Sequence, residues 1–201
     1  MKNMTRIVFL VLIVYLSSST CRLNNSNVLF GDNRKYNIEQ DTLIYTNGFD
    51  FPVGKPDGLG YYKAQKFTEN NHLGEDWNGL RGGNSDLGNS IYGIANGYVN
   101  FANDLKGGWG KVIRITHYLP DGQIVESLYA HCDKIIIKSN TWIKKGDLIG
   151  TIGTAHNQYL AHLHFEIRDT PNLSLGAGYS RLTKGYLNPT SFINTHRKVL
   201  E

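Results

Sequence analysis

Short β-type segments, separated by glycine-rich turns, constrain the fold of this chain more than any other feature. Branched and aromatic residues dominate six such segments, at residues 90–101, 111–118, 123–130, 134–137, 148–152 and 163–167. The turns between them include N-D-L-K-G-G-W-G, L-P-D-G and K-K-G-D, and 22 Gly and 12 Tyr against 2 Met agree with a turn-rich β-protein. Because no helical pattern separates these segments, we expect a mainly-β fold built on antiparallel sheets.

Two local signals refine this expectation. The sequence Pro120-Asp121-Gly122 lies between V-I-R-I-T-H-Y and Q-I-V-E-S-L-Y and predicts a tight β-hairpin. Only residues 189–196 have the character of a short helix, with Asn188 as a candidate N-cap before the proline.

The N-terminus predicts export. Lys2 and Arg6 precede an apolar run over residues 7–16, which is followed by small residues up to Cys21. A membrane-spanning helix needs about 20 apolar residues, so this run is too short to be one. The predicted organisation is an export signal over residues 1–20, a polar lead-in or tether over 21–45, a folded domain over 46–196 and a tail over 197–201.

Cys21 occupies the position at which a bacterial lipoprotein carries its lipid. Ser18, three residues earlier, stands where the usual lipoprotein signal has Leu, so cleavage before Cys21 by an ordinary signal peptidase is equally consistent. Without a lipid, Cys21 could form a disulfide with Cys132, the only other cysteine, in an oxidising compartment.

The composition supports a globular domain and argues against a nucleic-acid partner. Hydrophobic residues make up 40% of the 201 residues and charged residues 19%, which is enough apolar material for a core. The formal net charge of +4 favours anionic polymers such as a cell wall. A nucleic-acid-binding protein usually carries a dense Lys/Arg stripe, and this sequence has none.

The segment H-L-H-F-E at 162–166 places chemistry-bearing side chains on one face of a predicted strand. Side chains alternate along a strand, so His162, His164 and Glu166 share one face, whereas Leu163 and Phe165 point into a core on the other. Taken alone, an H-x-H pattern is more often part of an ordinary solvated sheet face than a metal site.

A second pattern, H-x-x-x-D at His72 and Asp76, favours a metal site. Zinc in a hydrolytic site takes three protein ligands from His and carboxylate residues and keeps one position open. His72, Asp76 and one histidine of the H-x-H pair supply this number. Gly74 lies between His72 and Asp76, and it predicts a loop or turn there rather than a helix.

His131 ends the β-type run that contains Ser127 and Tyr129, and strict alternation would put all three side chains on one face. A lone histidine in such a place is typical of a half-buried polar residue. The helix-borne H-E-x-x-H arrangement of many metalloproteases does not occur in the sequence.

Together these motifs resemble those of the lysostaphin-like (LytM-domain) zinc metallopeptidases. The matching sequences are H-x-G-x-D at 72–76, L-Y-A-H at 128–131 and H-L-H-F-E at 162–166, with W-I-K-K-G-D-L-I-G-T-I-G at 142–153 similar to a family hairpin. The resemblance runs from about residue 48 to residue 196. It implies an antiparallel, barrel-sandwich-like peptidase domain with an open groove, which cuts peptide bonds in peptidoglycan.

The resemblance also implies roles for individual residues. Zinc ligands are expected at His72, Asp76 and His164, with one zinc per chain, and catalytic histidines at His131 and His162. None of these five positions is substituted, which argues against a degenerate relative that only regulates another enzyme.

Further residues have weaker expected roles. Glu166 is expected to orient a ligand histidine, and His156 is a candidate substrate contact because it lies in a loop that departs from the S-T-G-P sequence common in the family. Glu75 and Glu166 are lesser candidates for the general base.

Three alternatives to a wall endopeptidase stay open. The chain could be a zinc- or peptidoglycan-binding module without turnover, or an exported metallopeptidase that acts on proteins outside the wall. Hairpins of the form V/I-x-x-G-D-x-I-G also occur in biotinyl and lipoyl carrier domains, but the export signal and the H-x-x-x-D pattern favour the peptidase. The expected location is the periplasm, the cell envelope or the medium, and the sequence does not specify an oligomeric state.

Overall fold

The computed structural model describes residues 43–198. The predicted export signal, Cys21 and most of the predicted lead-in lie outside the described residues, so the proposed boundaries at this end stay predictions. Within residues 43–198, none of the helices has the length and apolar character that a membrane crossing requires.

The described chain contains eleven strands, one α-helix and two short 3-10 helices. The 3-10 helices are Glu69–Asn71 and Gly107–Trp109. The strands and the helix are β1 Tyr61–Gln65, β2 Glu75–Gly79, β3 Ser90–Tyr92, β4 Gly97–Asp104, β5 Lys111–Tyr118, β6 Ile124–Cys132, β7 Lys134–Ile135, β8 Thr141–Ile143, β9 Leu148–Thr151, β10 Leu163–Arg168, β11 Tyr186–Leu187 and α1 Pro189–Thr195.

Eight strands form the main sheet and three form a smaller one. The main sheet has the order β1-β2-β10-β6-β5-β4-β8, with β11 paired to β10, and the smaller sheet has the order β3-β9-β7. Every pair of strands is antiparallel. The prediction of a mainly-β antiparallel fold is therefore confirmed, with one refinement: the main sheet ends at β1 and β8 and stays open rather than closing into a barrel.

The centre of the main sheet is buried on both faces. Leu163, Phe165 and Ile167 of β10 lie in the principal core, as alternation along H-L-H-F-E predicted. On the opposite face, Leu128 and Ala130 of β6 belong to a smaller apolar cluster under the chain segments that wall the site. Burial on both faces allows this sheet to hold polar side chains in a dry environment.

The two predicted local elements are present. β5 and β6 form the predicted hairpin, in which Gly122 adopts a φ of +89° and the Asp121 carboxylate accepts a hydrogen bond from the Gln123 amide. The side chain of Asn188 caps α1 by accepting a hydrogen bond from the Ser191 amide at 2.9 Å.

Two segments differ from the prediction because the chain passes between sheets. The run predicted over residues 90–101 is divided into β3 and β4, and these strands belong to different sheets. Ile91 and Ile94 are both fully buried, and this three-residue spacing breaks the alternation of a single strand. The K-K-G-D turn likewise joins β8 in the main sheet to β9 in the smaller one, so residues 142–153 do not form a hairpin of paired strands.

Candidate metal centre and active-site cleft

Adjacent strands bring the sequence motifs together. In the register of the main sheet Asp76 of β2 lies directly opposite His164 of β10, and Ala130, next to His131, lies opposite His164 on the other side. His72 precedes β2 and follows the 3-10 helix, in a loop as predicted. Asp76, however, lies on a strand and not in the predicted loop, and its position there is what aligns it with His164.

Gly74 allows β2 to approach β10 closely at this point. A Cβ atom at this position would lie 2.6 Å from the carbonyl oxygen of Phe165, 2.8 Å from Cγ of Glu166 and 3.1 Å from Cε1 of His164. The glycine of H-x-G-x-D is therefore required by the close approach of the Phe165 backbone and of the His164 ring.

His72, Asp76 and His164, called the triad below, present three ligand atoms at one point. Nε2 of His72 lies 2.9 Å from Nδ1 of His164, which in turn lies 3.0 Å from Oδ1 of Asp76. The third side of this triangle, from His72 Nε2 to Asp76 Oδ1, measures 3.3 Å. Within the described residues these three form the one group of His, Cys, Asp and Glu side chains with metal-ligand geometry.

The triad fits a zinc ion. Bonds of about 2.0–2.1 Å in a tetrahedral zinc site separate the ligand atoms by about 3.3 Å, and the triangle differs from this size by a few tenths of an ångström. Two imidazoles and one carboxylate are the ligands of a hydrolytic zinc site, and they leave the fourth position open.

Glu166 sets the orientation of the His164 ring. Its Oε1 lies 2.9 Å from Nε2 of His164, and because a carboxylate only accepts hydrogen bonds, Nε2 carries a proton. Nδ1 faces Asp76, and it is the nitrogen that can present a lone pair to a metal once its own proton is lost. Burial lowers the pKa of His164, but hydrogen bonds to Asp76 and Glu166 outweigh burial and raise it to about 9. For Asp76, burial raises the pKa, yet hydrogen bonds from His164 and His72 hold it well below its usual range.

His131 and His162, called the histidine pair below, lie beside the triad. Their ring centroids are 4.7 Å apart, and the His131 ring is 5.5 Å from that of His164. Nδ1–H of His162 donates to the carbonyl of Leu160 at 2.8 Å, so Nε2 is the acceptor atom of the neutral ring, 3.8 Å from Oδ1 of Asp76. Burial and the nearby charges of His164 and His162 lower the pKa of His131 to about 3, so its ring is neutral at neutral pH.

The position of His131 differs from the prediction of strict alternation. Ser127 and Tyr129 point into the principal core, where the Ser127 hydroxyl lies 3.1 Å from the Tyr129 hydroxyl. His131 instead has a left-handed backbone with a φ of +61°, and its side chain turns to the opposite side towards His162. A non-glycine residue in this region costs about 1–2 kcal/mol, and such strain is concentrated at functional sites.

Aromatic residues from two loops and from the 3-10 helix Gly107–Trp109 wall a cleft of about 480 Å³ over the triad and the histidine pair. The Trp109 ring lies edge-on to His164 at 5.4 Å, the Tyr159 ring lies 5.1 Å from His131, and the Tyr179 ring lies 5.1 Å from His72. Small residues, Gly108, Ala177 and Gly178, fill the rest of the rim.

The loop that carries Tyr159 has an unusual backbone. Ala155, His156 and Asn157 have successive φ values of +46°, +58° and +68°. Thr154 holds this left-handed turn, because its hydroxyl accepts from the Asn157 amide and its carbonyl from the Tyr159 amide. Nε2 of His156 lies 3.0 Å from Oδ1 of Asp104, and His156 is not among the residues that line the cleft.

Two other polar candidates lie elsewhere. Glu75 points to the side of β2 opposite Asp76, where it accepts hydrogen bonds from Trp77 and Thr190. It therefore does not line the cleft, where a general base would have to lie. Cys132 is buried and has no disulfide partner within the described residues, and burial raises the pKa of its thiol to about 12.

Sequence patterns did not indicate every residue of the site. Tyr159 and Tyr179, which wall the cleft, belong to irregular loops, so no periodic signal could have indicated them. Arg168 did have a signal, because the two-residue spacing of His164 and Glu166 extends to it along β10.

Known proteins resemble this chain in sequence family and in fold. The sequence model of Peptidase family M23 matches residues 71–175, more than half of the 201-residue chain, and this range includes the triad and the histidine pair. Lipoprotein NlpD of Yersinia enterocolitica is 36% identical over 84 residues, which cover 40% of this chain and 78% of that protein. Murein hydrolase activator NlpD of Salmonella dublin is 32% identical over 103 residues, which cover 47% of this chain and 25% of that protein.

Among solved structures, the antimicrobial peptidase lysostaphin from Staphylococcus simulans has a similar fold. The two structures align with a TM-score of 0.51 at 22% sequence identity, over 68% of this chain and 50% of lysostaphin. The chain thus spans half of lysostaphin and a quarter of the Salmonella protein.

Proposed function

The chain belongs to Peptidase family M23, and from this premise we propose that it is a zinc-dependent endopeptidase that hydrolyses peptide bonds in bacterial cell-wall peptidoglycan. The observation that carries the proposal is the juxtaposition of a triangle of ligand atoms, 2.9–3.3 Å apart, with two histidines that are not needed as ligands. One zinc ion would be held by His72, Asp76 and His164, and when bound it would supply Lewis-acid chemistry and lower the pKa of water.

The histidine pair supplies proton transfer and hydrogen bonding. Nε2 of His162 is the acceptor atom that faces the triad, because Nδ1–H is fixed on the Leu160 carbonyl, and we assign it as the general base. His131 is neutral, buried and in the lining of the cleft, so it can donate a hydrogen bond to the negative charge that develops on a scissile carbonyl oxygen. Asp76 stays ionised because its histidine neighbours hold its pKa low.

The cleft suits an extended, flexible peptide. Its floor is the sheet, and Trp109, Tyr159 and Tyr179 restrict the room beside the triad, which favours small side chains next to the scissile bond. The export signal expected over residues 1–20, and a net charge of +4, agree with a substrate in the anionic cell wall. We propose that the protein works in the periplasm, the cell envelope or the medium, with Cys21 as a candidate lipid anchor.

The decisive experiment is digestion of purified peptidoglycan by the mature protein. We expect peptide fragments whose new termini, identified by mass spectrometry, define the cleaved bond; a chelator should abolish their release and added zinc should restore it. Casein at equal peptide concentration provides the comparison. If casein is cut and peptidoglycan is not, the substrate is a protein outside the wall.

A regulatory function is the second candidate, because two similar Salmonella proteins are named murein hydrolase activators. An activator without turnover would release no fragments from peptidoglycan on its own, but it would increase the release caused by a separate wall hydrolase. Substitution of the histidine pair distinguishes the two functions, since an activator does not need a general base at this position.

A further inference from the structure

A buried ion-pair network continues from the candidate metal centre along the same face of the sheet. Glu166 and Arg168 follow His164 at two-residue spacing on β10, and Glu126 of β6 lies opposite Arg168 in the register. Arg114 of β5 reaches Glu126 from the next strand. The side chains of Arg168, Glu126 and Glu166 are 0% exposed and that of Arg114 is 13% exposed. These four residues are called the Arg–Glu network below.

The charges in the Arg–Glu network are balanced and paired. Arg168 donates from Nε to Oε2 of Glu166 at 2.7 Å, and its Nη2 lies 2.6 Å from the same oxygen. Arg114 donates from Nε and Nη2 to Oε1 of Glu126 at 2.9 and 2.7 Å. Nη1 of Arg168 is 3.8 Å from Oε1 of Glu126, which is too long for a hydrogen bond. Each arginine therefore has one principal carboxylate. Removal of either partner would leave a buried charge without compensation.

Glu166 connects this network to the triad. It uses Oε1 for Nε2–H of His164 and Oε2 for Arg168, so the guanidinium fixes the plane of the carboxylate that orients the ligand ring. Arg114 makes no such connection, because it contacts Glu126 and not Glu166.

The same network also holds residues 172–173, which begin the chain segment that reaches the wall of the cleft beside His72 at residues 177–179. The carbonyl of Leu173 accepts hydrogen bonds from both arginines at 2.9 Å, and the Asn172 amide donates to Glu126. A few residues later, the carbonyl of Gly178 accepts from the Leu73 amide, and Tyr179 pairs with His72 in an antiparallel bridge.

We infer that Arg168 is a positioning residue: through Glu166 it fixes the orientation of His164 for metal binding, and through Leu173 it ties that ligand to the wall of the cleft. The inference rests on the proposed function, because it takes His164 to be a zinc ligand. Groups that orient ligand histidines typically change metal affinity by about 10- to 100-fold when they are lost.

The test compares Arg168→Met with Arg114→Met, which removes the other arginine of the network but does not touch Glu166. Zinc affinity is measured by competition with a chromogenic chelator, and thermal stability is recorded for both variants. We expect both to be less stable than the unmodified protein, while only Arg168→Met weakens zinc binding, by about tenfold or more. Proton NMR should detect the hydrogen-bonded Nε2–H of His164 in Arg114→Met and lose it in Arg168→Met.

Each outcome decides the inference. Equal zinc affinity of Arg168→Met and the unmodified protein overturns it, and so does an equal loss in both variants, which would mean a general effect of destabilisation. If Arg168→Met does not fold, Arg168→Lys keeps the charge but loses the planar fork; weaker zinc binding then supports the inference and unchanged binding overturns it. Failure of the unmodified protein to take up zinc is a separate result, which refutes the metal centre itself and the inference with it.

Discussion

His117 gives the fold a dependence on pH that can be measured apart from the candidate metal centre. Its ring is fully buried; Nδ1–H donates to the Asn96 carbonyl at 2.9 Å, and Nε2 accepts from the Ser127 hydroxyl at 2.7 Å. Burial lowers the pKa of His117 from 6.5 to about 4. The unfolded chain therefore binds more protons at this residue than the folded chain between these two values.

The sign and size of the effect follow from the lowered pKa. The stabilisation associated with the neutral ring is fully present above pH 6.5 and is lost as the pH falls towards 4. The two pKa values correspond to about 3 kcal/mol in total, of which about 2 kcal/mol disappears between about pH 7.5 and about pH 5.

Urea denaturation of the unmodified protein and His117→Gln, with a chelator present throughout, isolates this contribution. Other titrating groups affect both proteins equally, so the difference in their free energies of unfolding should shrink by about 2 kcal/mol from about pH 7.5 to about pH 5. A difference that stays constant with pH would refute the reasoning. It would mean that the Ser127 hydroxyl rotates to accept a hydrogen bond from protonated Nε2 and offsets the cost of burying the charge.

Three further predictions concern the site. Alanine at any position of the triad should remove bound zinc, and full zinc occupancy by elemental analysis in all three variants would refute the ligand assignment. Alanine at either position of the histidine pair should keep zinc and lose nearly all hydrolysis of peptidoglycan; loss of zinc in His162→Ala with retention in His164→Ala would reverse their roles. Gly74→Ala should lower stability by about 1–3 kcal/mol and weaken zinc binding, because its Cβ meets the Phe165 carbonyl at 2.6 Å. Gly108→Ala should cost less, as thermal denaturation can measure, because its Cβ meets the end of the Tyr159 side chain, at 2.7 Å, and not backbone.

The sequence predicted most of the positions that meet at the site, because their signals are local. Alternation along H-L-H-F-E assigned Leu163 and Phe165 to the core and His164 to the opposite face, and the structure agrees. The resemblance to lysostaphin-like peptidases indicated the same family as the sequence model, and the mainly-β antiparallel class is confirmed. The roles of the five residues stay proposals until metal content and activity are measured.

Alternation failed where the backbone leaves the regular strand conformation. The left-handed φ at His131 turns its side chain away from Tyr129, although the two residues are two positions apart on β6. A similar limit applied to the segment over residues 90–101, where Gly93 lets the chain cross between sheets: a Cβ at this position would lie 2.4 Å from Ile143. Neither departure from alternation can be predicted from the periodicity of the sequence, because each depends on what packs against the strand from elsewhere in the chain.

Under the proposed function, the same distinction separates the catalytic groups from the groups that would select the substrate. The triad and the histidine pair depend on β2, β6 and β10, where pairing register alone brings Asp76 and His164 together. The cleft walls depend on loops held by tertiary contacts: a left-handed turn for Tyr159, and two buried arginines on one carbonyl for the segment before Tyr179. If the protein is a peptidase, we expect substitutions in these loops to change which peptide is accepted without moving the triad or the histidine pair. Arg168 contacts both Glu166 and the Leu173 carbonyl, so we expect it to be the position that couples the two systems.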